Sequence, residues 1–214
     1  MIITIDGPAG AGKSSAARAL ARRLGFEFLD TGATYRAVAY AAQRDGIDLN
    51  DGPALAAWLD TLRIELRPGQ VWLNGAEVTQ LIRSPDVTSG ASRVAVLPVV
   101  RHYLAELQRT LATGRDVVSE GRDQGTVVFP HAEKKFFLVA DPVERARRRH
   151  RDLVARGEQI TLEEVLRAQD ERDRRDAGRD LAPMVPAADA IILDSTSLTP
   201  EEVLERMERE VRRC

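Results

Sequence analysis

The chain of 214 residues has a single cysteine, Cys214, at its last position. One cysteine can build neither an internal disulfide framework nor a multi-cysteine zinc site. His102, His131 and His150 show no metal-ligand clustering, so surface or structural roles are expected for them. No apolar run approaches the ~20 residues that cross a bilayer. The opening MIITIDGPAG lacks a basic stretch followed by an apolar one, so it does not read as a signal peptide. A cytoplasmic, reduced protein is the expectation, with no membrane partner. Net charge is only −2, which argues against coating nucleic acid through bulk electrostatics. Lysine is scarce as well: Lys13, Lys134 and Lys135 are the only ones, leaving 28 arginines among the 31 basic residues. Arginine abundance proves nothing by itself; local placement carries the argument.

What is present is an alternation of strands and helices. Ile2, Ile3 and Ile5 read as a strand, Gly7 to Gly12 as a glycine-rich loop, and Lys13 to Leu24 as a helix that Gly25 ends. Further strands are expected at Phe26–Leu29, from Val117 into the segment SEGRD, at Lys135–Val139 and at Ala190–Leu193. Helices are expected at Thr34–Gln43, from Pro53 to about Leu62, over Val87–Ala112 with a break at Pro98, and at Pro142–Ala155, Thr161–Ala177 and Pro200–Val211. Between Leu62 and Asp86 the texture changes. LRIEL alternates, Pro68-Gly69 turns, Val71–Leu73 alternates again, and Asn74-Gly75 follows, which together signal a hairpin. The pattern predicts an α/β protein with a parallel sheet flanked by helices and a small β-containing insertion.

Gly7-Pro8-Ala9-Gly10-Ala11-Gly12-Lys13-Ser14 fits the pattern G-x-x-x-x-G-K-[ST], with a strand before it and a helix after it. Its glycines allow the backbone to curl so that N–H groups point at phosphate oxygens, and the helix turns its positive end to the same anion. Lys13 would reach the β/γ-phosphates, and the Ser14 hydroxyl would be a Mg²⁺ ligand. No guanine-reading N-K-x-D segment occurs, which excludes a GTPase switch, and the chain is too short for a large motor ATPase. The size fits a small-molecule kinase.

A second phosphate-bearing substrate requires cationic contacts, and three places offer them. Thr31 and Arg36 follow the second strand, where a parallel sheet opens to its ligands. For Arg36 a plain exposed helix position is an equal alternative. Ser92 and Arg101 flank the break at Pro98, and ordinary surface roles are open for both. Glu120, Arg122 and Asp123 lie just past an apolar strand, with an Arg122–Asp123 ion pair as the competing reading. Two non-kinase readings are open as well: a regulatory P-loop ATPase, and a non-enzymatic nucleotide-binding module.

The run DERDRRDAGRD, Asp170 to Asp180, ends the helix that begins near Thr161. The apolar stripe of Leu162, Val165 and Leu166 continues at ~100° per residue as Gln169, Asp173 and Asp176, with Arg172 and Arg179 on its margin. A stripe that turns from apolar to charged has stopped facing a core. It faces water or an anion, while Arg174 points elsewhere.

Six segments, IDGPAGAGKSS, FLDTGATYRAVA, ASRVAVLPVVR, EGRDQGTVVFP, RRDAGRDLAP and AADAIILDSTSL, resemble the bacterial cytidylate (CMP/dCMP) kinase family in order along the whole chain. The resemblance implies a P-loop kinase fold with a five-stranded parallel sheet, and transfer of the ATP γ-phosphoryl group to CMP or dCMP. It implies one domain, with core 1–33, 87–148 and 179–214, a monophosphate-binding region with its insertion at 34–86, and a helical lid at 149–178. ATP would lie on Gly7, Pro8, Ala9, Gly10, Ala11, Gly12, Lys13, Ser14 and Ser15, with Mg²⁺ on Ser14. CMP would meet Thr31, Tyr35, Arg36, Ser92, Arg101, Glu120, Arg122, Asp123, Arg172, Asp176 and Arg179. Lys13, Arg122, Arg172 and Arg179 would be catalytic, with Arg175 less securely so.

Family members often carry Asp at the position of Glu120, and apolar residues are commoner at those of Thr34 and Gln124. A carboxylate with arginine and serine donors matches the amino-bearing edge of cytosine, whereas uracil would set an acceptor against the carboxylate. Glu120 and Asp123 are both open for that reading. UMP or shikimate is the runner-up acceptor, and a monomer is expected.

Overall fold

The structure is a computed structural model that describes residues 1–155 and 157–213; Cys214 lies outside the described residues. It divides into two compact units. One comprises Met1–Phe28 with Asp116 onward, the other Leu29–Arg115.

The first unit holds a parallel sheet. Its strands are β1 (Ile2–Asp6), β2 (Glu27–Asp30, whose last two residues fall past the unit boundary), β6 (Val117–Glu120), β7 (Lys134–Val139) and β8 (Ile191–Asp194), in the order β2-β6-β1-β7-β8. Ile3 lies opposite Val118 on one side of β1 and opposite Lys134 on the other. Alternation along β1 separates two faces. Ile3 and Ile5 are fully buried in a cluster with Leu20, Phe136, Leu138 and Met207. That cluster comes from the sheet, α1 (Lys13–Leu24) and α8 (Pro200–Val211). Thr4 and Asp6, on the other face, are buried too, so this face of the strand is polar without being exposed.

Helix ends follow local chemistry. Gly25 takes the left-handed conformation that closes α1 (φ 74°). Thr161 and Glu164 form a reciprocal capping box at the start of α7 (Leu162–Ala177), and Thr199 and Glu202 do the same for α8. α7 packs against α6 (Pro142–Val154) through Ala146, Leu153 and Val165.

The second unit contains α2 (Thr31–Arg44), α3 (Gly52–Leu59), α4 (Pro85–Val94) and α5 (Pro98–Ala112). An antiparallel sheet joins them, formed by β3 (Ile64–Arg67), β4 (Gln70–Leu73) and β5 (Ala76–Glu77). One apolar cluster unites Ala37, Val38, Leu55, Leu73, Val94 and Leu104. For that reason residues 87–115 group with the insertion, whereas the sequence reading places them with the core.

Other differences are local. α2 starts three residues before Thr34 because the Asp30 carboxylate accepts the Ala33 N–H at 2.9 Å and caps the helix early. The hairpin gains β5 as a third strand. A π-helical turn occupies Gln124–Val128, just after β6.

Candidate active site

β1 ends at Asp6 and the chain turns at Gly7 into the loop. Gly7 is obligatory there: its φ is 137°, and an added Cβ would lie 2.1 Å from the Leu138 carbonyl oxygen. Lys13 opens α1 and is 5% exposed; its Nζ donates to the Pro8 carbonyl at 2.7 Å, so the ammonium lies back across the loop. The Ser14 hydroxyl donates to Glu120 Oε1 at 2.7 Å. Thus Glu120, at the end of β6, partners the loop serine.

Past Glu120 the chain places Arg122 against α7. Arg122 Nε donates to Asp176 Oδ2 at 2.9 Å, Arg179 bonds the other Asp176 oxygen, and Arg172 Nε lies 3.9 Å from Oδ2. Burial would raise the Asp176 pKa, but the guanidiniums of Arg122, Arg179 and Arg172 prevail and hold it below the usual range. Lys13 shows the opposite imbalance. Burial, with the nearby charges of Arg122 and Arg172, pushes its ammonium down to about 7 against the pull of Glu120. Lys13, Arg122, Arg172 and Arg179 thus lie together, among the carboxylates of Asp6, Glu120 and Asp176.

The charged run divides as its spacing predicts. Asp176 is buried and Arg172, Asp173 and Arg179 are partly buried, while Arg174 and Arg175 are exposed. Arg175 Nε donates to the Glu171 carbonyl of its own helix, so it stays on the solvated side.

The predicted residues of the second unit each have partners of their own. Arg36 pairs with the Asp30 carboxylate at 3.2 Å, which fixes its guanidinium over the start of α2, where Thr31 is buried. Arg101 is 5% exposed, donates to the Ala95 carbonyl at 3.0 Å, and lies with its guanidinium carbon 5.9 Å from the Tyr35 ring centre. An arginine buried this far is not an ordinary surface residue. Ser92 is half-buried on α4, with its hydroxyl 3.5 Å from the Thr88 carbonyl.

Asp123 is buried, and its carbonyl accepts from the Thr126 hydroxyl at 3.3 Å. Sequence reasoning missed Asp6. Its carboxylate takes the N–H groups of Gln124 and Gly125 at 2.9 and 2.7 Å, which anchors the turn after Arg122 and Asp123 to the root of the loop. Burial pushes its pKa up to about 6 despite those two hydrogen bonds. The available signal was a carboxylate at the end of an apolar strand, directly before the loop glycine. Arg145 was missed as well, and Asp173 was placed on the stripe without a role.

The match to the cytidylate kinase family model runs over residues 3–213. The chain belongs to the cytidylate kinase family. The cytidylate kinase of Rhodopirellula baltica is 47% identical over 214 residues, covering all of this chain and 93% of the relative. That of Pelotomaculum thermopropionicum is 50% identical, over 94% of this chain and 92% of its own length. A solved structure of an uncharacterized protein from Eubacterium ventriosum shares the fold alone, with a TM-score of 0.53 at 11% identity over 99% of this chain and 98% of its own.

Within this cytidylate kinase family chain, the two unusual polar residues have local partners. Thr34 accepts from Gln108 Nε2 at 3.1 Å and donates to the Thr31 carbonyl, while Gln124 accepts from the Ser119 hydroxyl at 2.8 Å. Each is a satisfied buried pair, and neither intrudes on the charged group.

Proposed function

We infer that the chain transfers the γ-phosphoryl group of ATP to CMP or dCMP, giving ADP and CDP or dCDP. Family membership carries the activity. The observation that best supports its placement is the buried Lys13 ammonium on the loop, close to the guanidiniums of Arg122 and Arg172. A triphosphate lying on Gly7–Ser15 would meet these three cations. Lys13 then exchanges the Pro8 carbonyl for a phosphate oxygen, and the N–H groups of the loop and of the first turn of α1 hold the rest.

Ser14 and Glu120 bring a hydroxyl and a carboxylate oxygen to one point, which fits Mg²⁺, an ion that takes one or two protein oxygens beside those of its substrate. Bound there, Mg²⁺ would neutralise charge on the phosphates. With Glu120 committed to Ser14, Asp123 is the proposed reader of the cytosine amino group, and Thr31, Tyr35, Arg36, Ser92 and Arg101 the further acceptor contacts.

The acceptor phosphate is already anionic, so the transfer requires neither a protein nucleophile nor a general base. Arg122, Arg172 and Arg179, which gather around Asp176, would neutralise the charge that spreads over the transferring group. Residues 149–178 are proposed as the segment that excludes water, so that ATP is not hydrolysed instead.

No described helix is long and apolar enough to cross a membrane. We propose a cytoplasmic monomer that acts on small molecules and not on nucleic acid. ADP release should depend on the acceptor, rising at least about tenfold when CMP is added to enzyme, ATP and Mg²⁺. Equal release without CMP would indicate an ATPase instead.

A further inference from the structure

Arg145 and Asp173 stand on the two helices α6 and α7, and between them they hold both backbone polar groups of one loop residue, Ala9. Ala9 N–H donates to Asp173 Oδ1 at 3.0 Å, and the Ala9 carbonyl accepts from Arg145 Nη1 at 2.8 Å. The same Arg145 nitrogen donates to Asp173 Oδ2, so the ion pair closes a ring around that residue. Both side chains are well withdrawn from water, at 6% exposure for Arg145 and 16% for Asp173. Arg145 is itself fixed, since its Nε donates to the Ala140 carbonyl just past β7.

Packing at the neighbouring residue tells the same story. A Cβ on Gly10 would come within 2.9 Å of Gln169 Oε1 and 3.1 Å of the Arg145 carbonyl, so the helices touch the loop backbone directly. Gln169 in turn donates to the Pro142 carbonyl at the start of α6.

The consequence lies one residue and one turn away. Arg172 adjoins Asp173, and Asp176, which gathers Arg122, Arg172 and Arg179, follows three residues later on α7. Lys13 lies on the loop and α1, while Arg172 and Arg179 come from α7 and the segment just past it. We propose that Asp173, through its pair with Arg145 and their shared hold on Ala9, is a positioning residue that sets the register of the α7 arginines against Lys13. It touches neither the transferring group nor the acceptor in this account. It acts through Arg172 and Arg179, and so rests on their assignment to the transferring phosphoryl group.

Two polar contacts around one residue also make the pair sensitive to geometry as well as charge. Asp173→Asn keeps an oxygen for the Ala9 N–H and loses the ionic partner of Arg145, whereas Asp173→Ala loses both. The test is steady-state CDP formation by Asp173→Ala, Asp173→Asn and Arg179→Ala, with thermal unfolding of each protein. At saturating ATP and CMP, Asp173→Ala should lower kcat at least about tenfold, and Asp173→Asn by less, with KM for ATP within about threefold of the parent.

A kcat within twofold of the parent in folded Asp173→Ala would overturn the proposal. So would a KM for ATP that rises as far as kcat falls, because Asp173 would then serve ATP binding. Should Asp173→Ala not fold, a kcat for Asp173→Asn equal to the parent's overturns it equally. If Arg179→Ala keeps full kcat, the arginine assignment fails, whatever Asp173 does. If Arg179→Ala loses kcat while Asp173→Ala keeps it, only the positioning role fails.

Discussion

Lys13 is the residue on which the proposed chemistry turns, and its surroundings are informative. Burial, with Arg122 and Arg172 nearby, lowers the pKa of its ammonium against the pull of Glu120 and Asp6, and a bound polyanion would raise it. Lys13→Ala should lower kcat by roughly 10²–10³-fold while the far-UV circular dichroism stays that of the parent; substantial remaining turnover would remove Lys13 from the mechanism. Arg101 makes a different prediction. Its planar fork spans the Ala95 carbonyl and the Tyr35 ring, a geometry lysine cannot reproduce. Arg101→Lys should raise KM for CMP about tenfold and leave KM for ATP near the parent value.

Asp6 was not legible as a working residue, because its partners are backbone N–H groups 118 and 119 positions away. Its pKa is raised from 3.8 to about 6 by burial, so the folded chain binds this proton more tightly than the unfolded one. Stability from this group is therefore greatest below pH 4 and is lost as pH rises to about 6. The loss amounts to roughly 2–3 kcal/mol. Asp6→Asn, neutral at every pH, should lack that slope. Denaturant unfolding at pH 4 and pH 7 should show the parent's advantage over the variant shrinking as pH rises, and an advantage that grows instead would contradict the assignment.

At the scale of elements, what could be read beforehand is what local chemistry controls. Gly25 marks the end of α1, Pro98 the start of α5, and the stripe of Leu162, Val165, Gln169, Asp173 and Asp176 marks the side of α7 turned away from solvent. β5 escaped notice because two residues carry no periodicity, and the early start of α2 because its cap, Asp30, reads equally well as the end of a strand. The π-helical turn at Gln124–Val128 is set by Asp6 and the close approach of Gly125 to Thr4 Oγ1, neither of which is local. Gly7 tests the packing of the loop against β7. Gly7→Ala must push a backbone carbonyl aside and should destabilise the chain by more than about 3 kcal/mol in urea unfolding. A change below 1 kcal/mol would mean that β7 yields easily there.

For the whole molecule, alternating strands and helices made the parallel sheet legible, yet not the division into Leu29–Arg115 and the remainder. That boundary depends on which apolar faces meet, and Val94 and Leu104 could have packed on either unit by pattern alone. Net charge was equally silent. At −2 overall, the chain still gathers Lys13, Arg122, Arg172 and Arg179 into one group. The most direct measurement of the central claim is kcat/KM for CMP, dCMP, UMP, AMP and shikimate, each as sole acceptor with saturating ATP and Mg²⁺. The account predicts that CMP or dCMP exceeds each of the others by about 10²-fold or more. Equal or better turnover with any acceptor lacking cytosine would contradict it.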